Sequence, residues 1–72
     1  MITIKERIAK LRQETGMSQE AVAKRAGISR AHWGMIELGL VKCPKADTLQ
    51  NIGKALGVTL PQLVEGVDFT NE

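Results

Sequence analysis

The chain is poor in the residues that staple or metallate small domains. Its 72 residues hold one cysteine, Cys43, and one histidine, His32. A single thiol excludes an intrachain disulfide, and with one histidine it cannot assemble a zinc finger. No apolar run approaches membrane-spanning length, and the opening residues carry charge where a secretory signal needs an apolar stretch. A cytoplasmic location is therefore the default. There is no block of lysines and arginines, so the net charge of +2 is spread rather than gathered into a tail. The enzymatic signatures are also missing. There is no Cys–His pairing with a third member, no paired-carboxylate motif and no phosphate-cradling glycine loop, so no catalytic residue is assigned. No metal, cofactor or membrane is called for. His32 reads as a polar boundary residue and Cys43 as a small packed apolar one.

What is present is an ordinary soluble composition, 43% hydrophobic and 25% charged, which argues against disorder. The length allows one domain with a modest core. Glycines and capping residues divide the chain into five helical segments. Thr3-Ile4-Lys5-Glu6 reads as a capping box, followed by Ile4, Ile8 and Leu11 at helical spacing until Gly16. Ser18 caps a second helix ending at Gly27, and Ser29 caps a third running to about Gly39. Leu40 to Lys45, with Pro44, is a loop. A fourth helix carries the stripe Leu49, Ile52 and Leu56 and closes at Gly57, with Asp47 favourably placed in its first turn. Thr59-Leu60-Pro61-Gln62 is a second capping box, opening a short fifth helix with Leu60, Leu63 and Val64 inward. The domain is assigned to residues 1–66 and a frayed tail to 67–72, although Val67 and Phe69 are apolar enough to dock. Strand-like alternation and internal repeats are absent, so the fold expected is all-α.

The join between the second and third segments is the most informative part. Val22, Ala26, Ile28, Trp33 and Ile36 sit in fixed register with small Ala23 and turn-forming Gly27. Two helices crossing closely at Ala23 leave no room for a larger side chain, and a residue just past a helix end is commonly left-handed, where a Cβ is costly. This is a helix-turn-helix pattern, whose second helix is shaped to enter the major groove of DNA.

At about 100° per residue, Arg30, Ala31, Gly34 and Met35 share one side of the third helix, with Leu38 at its far end, while Trp33 and Ile36 point to the core. Arg30 suits bidentate bonding to guanine, or alternatively a phosphate or solvent; Ala31 and Met35 offer only apolar contact, for which the thymine methyl is the available partner. Gly34 in mid-helix has two readings, close approach to a groove or partner and close packing inside the domain. The start of the second helix, with Ser18 and Gln19, has free N–H groups suited to phosphate. His32 is a possible phosphate neighbour. Glu37 lies near a helix C-terminus, where a cation is welcome.

The pattern resembles the phage repressor and Cro type of helix-turn-helix domain, the XRE family, over about residues 4 to 65. The resemblance rests on Arg12, Gly16, Met17-Ser18-Gln19-Glu20, Ala23, Gly27-Ile28-Ser29, Ile36-Glu37, Gly39, Pro44, Thr48-Leu49, Ile52, Ala55-Leu56-Gly57-Val58 and Leu60. It implies a five-helix, lambda-repressor-like fold and a homodimeric, sequence-specific regulator of bacterial or phage origin associated with the nucleoid, most simply a repressor. It also implies base reading by Arg30, Ala31, Gly34 and Met35, and phosphate contacts by Ser18, Gln19, Lys42 and Lys45, with a bridging role as the alternative for Gln19. Arg12 would pair with Glu37 beneath the DNA backbone, with phosphate contact as its second role. Self-contact would be made by Pro44, Lys45, Val58 and Leu60. The chain departs from the pattern at Trp33, where a smaller aliphatic core residue is usual, and across Leu38-Gly39-Leu40-Val41-Lys42-Cys43-Pro44, which is apolar where relatives are polar or basic. That stretch leaves a second reading open: a protein-interaction module of the same fold, such as an antitoxin, antirepressor or bridging factor. Exposure of Leu38, Leu40 and Val41 discriminates between the two.

Overall fold

A computed structural model describes residues 2–41 and 43–68. Five helices follow in order: α1 Ile4–Thr15, α2 Gln19–Ala26, α3 Arg30–Leu38, α4 Ala46–Leu56 and α5 Leu60–Leu63. The starts are chemical. In α1 the Glu6 N–H donates to Thr3 Oγ1 while the Thr3 N–H donates to Glu6 Oε1, and Thr59 with Gln62 repeats the exchange at α5. Ser18 and Ser29 accept from the N–H groups of Ala21 and His32. These bonds satisfy donors that a helix start leaves orphaned. The fourth helix starts differently. Lys45 precedes it and supplies no side-chain cap, leaving Asp47 in the first turn to favour the dipole.

The turn between α2 and α3 requires Gly27, whose φ of 75° is left-handed. The Ile28 N–H then reaches back to the Ala23 carbonyl at 3.0 Å and the Gly27 N–H to that of Lys24 at 3.2 Å. This Schellman closure swings Ile28 onto the core, so α3 departs across α2. Ala23, 1% exposed, lies within that crossing.

Helix α2 packs against α3 and α4, α1 against α3 and α4, and α5 against α4. One apolar core joins them: Ile4, Ile8 and Leu11 from α1, Val22 and Ala26 from α2, Trp33 and Ile36 from α3, Leu49, Ile52 and Leu56 from α4, and Leu63 from α5. Trp33 is fully buried and is the largest side chain in that interior. At about 25 cal/mol per Å² of apolar area, a ring of this size is a dominant contributor to a core built from so few residues.

Two ties close the ends of the chain. The Ile2 N–H donates to the Gly66 carbonyl at 3.2 Å and the Asp68 N–H to that of Ile2 at 2.9 Å, giving a parallel bridge between Ile2 and Val67. Val67 packs on the core, whereas Phe69 lies outside the described residues. Arg7 donates from Nη2 to the Gln62 carbonyl at 2.7 Å and from Nε to that of Leu63 at 3.3 Å, capping the C-terminal end of α5 from α1. Apart from that isolated bridge, the regular structure among the described residues is helical.

Candidate nucleic-acid interface

Helix α3 has two unlike faces, and the inner one is pinned by a carboxylate. Glu37 Oε2 accepts from Arg12 Nε at 2.5 Å and Oε1 from Arg12 Nη2 at 3.2 Å, a bidentate pair between α3 and α1. Oε1 also accepts from Gln19 Nε2 at 3.1 Å, at the start of α2, and Oε2 from the indole N–H of Trp33 one turn earlier in α3. Arg12 Nη1 donates to the Met17 carbonyl at 3.0 Å, in the loop before α2. One carboxylate thus binds donors from all three helices that build the motif. Burial pushes the Glu37 carboxyl up, but hydrogen bonds from Arg12, Trp33 and Gln19, together with the Arg12 charge, outweigh it and hold the group below the ordinary glutamate range. With side chains only 17% and 9% exposed, Arg12 and Glu37 form a largely desolvated pair whose rupture is costly.

The outer face carries the remaining positions. Arg30 and Ala31 are exposed, and Met35 is 42% exposed. The Arg30 guanidinium makes no ion pair or hydrogen bond with another described residue. Gly34 answers one of the two readings given it: a Cβ built there meets nothing within 4 Å, so internal packing does not require the glycine. Arg30, Ala31, Gly34 and Met35 therefore share one open surface.

The supporting residues are more dispersed. Ser18 and Gln19 lie at the start of α2, their side chains already engaged by Ala21 and Glu37. His32 is half-buried and borders a shallow cleft with Val41, Cys43, Pro44, Lys45 and Thr48, between α3 and the start of α4. Lys45 is exposed, and Lys42 lies outside the described residues. Of the residues assigned to self-contact, Pro44 is buried within the protomer, and Val58 and Leu60 are half-buried against its core, leaving Lys45 as the exposed member. Cys43 corrects the sequence reading: it is exposed rather than packed, its Sγ 3.7 Å from the Pro44 carbonyl oxygen, while in the same loop Pro44 is buried and Val41 packs on the core. The apolar stretch divides. Val41 folds onto the core, while Leu38 and Leu40 are 71% and 70% exposed. Among the described residues no group of histidine, cysteine, aspartate and glutamate is arranged to hold a metal ion, and no helix is long and apolar enough to cross a membrane.

Some features escaped the sequence. The indole bond from Trp33 to Glu37 was signalled only by their i, i+4 spacing. The Arg7 cap on α5 bridges positions too distant to be seen in sequence. Gly53, buried in α4, is tightly confined: a Cβ there would stand 3.0 Å from the Val58 carbonyl oxygen.

Comparison with known proteins agrees with this geometry. The profile of the family described as "Helix-turn-helix" matches residues 8–63. The chain is 38% identical over 64 residues to the HTH-type transcriptional regulator DdrOP3 of Deinococcus deserti, covering 89% of this chain but 49% of that protein, about half its length. It is 39% identical over 62 residues to the uncharacterized HTH-type transcriptional regulator y4dJ of Sinorhizobium fredii, covering 86% of this chain and 79% of that one. Among solved structures, the P22 c2 repressor in complex with a synthetic operator superposes with a TM-score of 0.80 at 26% identity, over 92% of this chain and 98% of the chain in that structure. With a small residue and a left-handed glycine at the α2–α3 crossing, the inner face of α3 pinned and its outer face open, the chain belongs to the XRE-type helix-turn-helix family, in the lambda-repressor-like fold.

Proposed function

We propose that this domain is a sequence-specific regulator that binds double-stranded DNA and reads the major groove with α3, acting as a repressor. The outer face of α3 carries the reading. Arg30 is exposed, without a partner among the described residues, beside a glycine that internal packing does not need, while the opposite face is locked to α1 and α2 through Glu37. A guanidinium held on a rigid helix can bond guanine O6 and N7 together, and a glycine backbone can approach the groove floor. Leu38 and Leu40 are exposed, as an interaction module of the same fold would have them, but Val41 packs on the core and the match to transcriptional regulators favours the DNA-binding role.

Phosphate contacts fall to the first turn of α2, where the free backbone N–H groups and the remaining N–H of Gln19 are presented. Arg12, with donors left after binding Glu37 and Met17, and the lysines Lys42 and Lys45 complete the set, with His32 beside them. A helix of this length spans only a few base pairs, so two protomers act together on half-sites about one helical turn apart. Lys45, Val58 and Leu60 edge the surface between them, with buried Pro44 shaping the loop rather than making contact. The working location is the cytoplasm of a bacterium, on the chromosome or on phage DNA. Repeated selection from random duplexes tests the proposal. One sequence is expected to emerge, binding two protomers in sedimentation, with log K falling against log salt at a slope of roughly −3 to −6 per dimer. Indifference to sequence at moderate salt defeats it.

A further inference from the structure

The outer face of α3 is unusually short of polar side chains for a surface that reads bases. Arg30, Gly34 and Leu38 form one row four residues apart, and Ala31 and Met35 the neighbouring row, all within about 140° of arc at ~100° per residue. Only Arg30 carries a hydrogen-bonding side chain. Leu38 is 71% exposed and lies outside the buried core, so folding gives it little to do. Its row makes it part of the reading surface rather than of the loop, because it stands in line with Arg30 across a glycine whose missing Cβ leaves open space. On the floor of the major groove the only apolar feature is the C5-methyl group of thymine.

Resting on the DNA-reading role given above, we propose that Leu38 is a specificity-determining residue which, together with Met35 and Ala31, reads thymine by its methyl group. The recognised half-site then holds a guanine fixed by Arg30 and thymines beside it, chosen by apolar contact rather than by hydrogen bonds. Leu40 is equally exposed, but it follows the Gly39 turn and its N–H closes on the Met35 carbonyl at 2.9 Å, so it stands outside the helical row.

The test uses the duplex obtained by selection and replaces its thymines one at a time with deoxyuridine, which keeps pairing and polar edge and deletes only the methyl. At least two positions in each half-site are expected to weaken binding about fourfold, as the loss of one buried methyl implies. In Leu38→Ala the penalty disappears at one of those positions, and in Met35→Ala at another. Circular dichroism and melting of both variants stay as in the parent, since neither side chain is in the core. A specifically bound site that tolerates uridine throughout overturns the proposal, as does an unchanged set of penalties in Leu38→Ala. If Leu38→Ala leaves the penalties intact but raises the concentration at which two protomers load, the face belongs to a second copy and the proposal also falls. If no sequence is selected at all, the DNA-reading role itself fails, a separate result.

Discussion

The two sides of α3 differ in what they ask of their residues. On the inner side each group is tied to another: Trp33 fills the core and donates to Glu37, and Glu37 answers Arg12 and Gln19. On the outer side, among the described residues, no side chain is tied. Arg30 has no partner there, Met35 and Leu38 face water, and Gly34 leaves room for a Cβ. The two mid-helix glycines make the same contrast between α3 and α4. Gly53 is crowded, because a methyl there would stand 3.0 Å from the Val58 carbonyl oxygen, whereas among the described residues nothing stands within 4 Å of one at Gly34. Stability sits on one face of α3 and is almost absent from the other. Substitutions on the two faces should therefore separate folding from binding.

The largest effect belongs to the inner face. Glu37→Ala strands the Arg12 guanidinium and orphans the Gln19 and Trp33 donors, and should remove about 3 kcal/mol of stability, the lower end for a buried pair because Arg12 keeps some contact with water. Chemical denaturation followed by the fluorescence of Trp33 measures it. A loss below about 1 kcal/mol, the level of exposed pairs, would show that the carboxylate does not hold the three helices together.

On the outer face, Arg30→Ala should leave the denaturation midpoint unchanged and cost about 1–3 kcal/mol of binding, with preference relaxed at one position per half-site. A loss shared equally by all sequences would reassign Arg30 to phosphate. The glycines sharpen the contrast further. Gly53→Ala should destabilise by about 1 kcal/mol, because displacing the Val58 carbonyl outweighs the gain in helix propensity. Gly34→Ala should instead stabilise the fold by about 0.5–1 kcal/mol while weakening specific binding, since its methyl enters open space that the groove would occupy. Equal binding by the two proteins would remove the case for close approach at Gly34.

The smallest effect is the pH dependence. Because the folded protein holds Glu37 below its ordinary value, its contribution is complete above about pH 4.3 and declines as pH falls through the depressed folded value. The backbone N–H of Thr3 lowers Glu6 in the same direction, so part of the acid limb belongs to that cap. Glu37→Gln should flatten the limb without abolishing it, as read from melting temperatures taken between neutral pH and about pH 3. An unaltered limb would place the acid sensitivity elsewhere.

How far each feature could be read in sequence follows from the range of the interaction behind it. The caps at Thr3, Ser18, Ser29 and Thr59 depend on bonds spanning three residues, and the glycine stops on bonds spanning three to five. Such bonds are settled by local order, and all of them were legible. The pairing of Arg12 with Glu37 came from family likeness, and its companions did not. Trp33 stood out as too large for its place, without any hint that its N–H would be spent on Glu37. Cys43 and Leu40 were misplaced or undecided for a related reason: a short apolar loop does not reveal which of its members finds room in the core. Val41 packs on the core and Pro44 is buried, while Cys43 and Leu40 stay exposed.

Order in the chain alone determined the five helices, their caps, the tight α2–α3 turn and the outward row from Arg30 to Leu38, since helical periodicity and left-handed glycine are properties of a few consecutive residues. Tertiary structure decided the rest. The three residues gathered at Glu37, the Arg7 clasp on α5, the Ile2–Val67 bridge and the crowding at Gly53 depend on contacts between separate elements, and their energies exist only once those elements have packed.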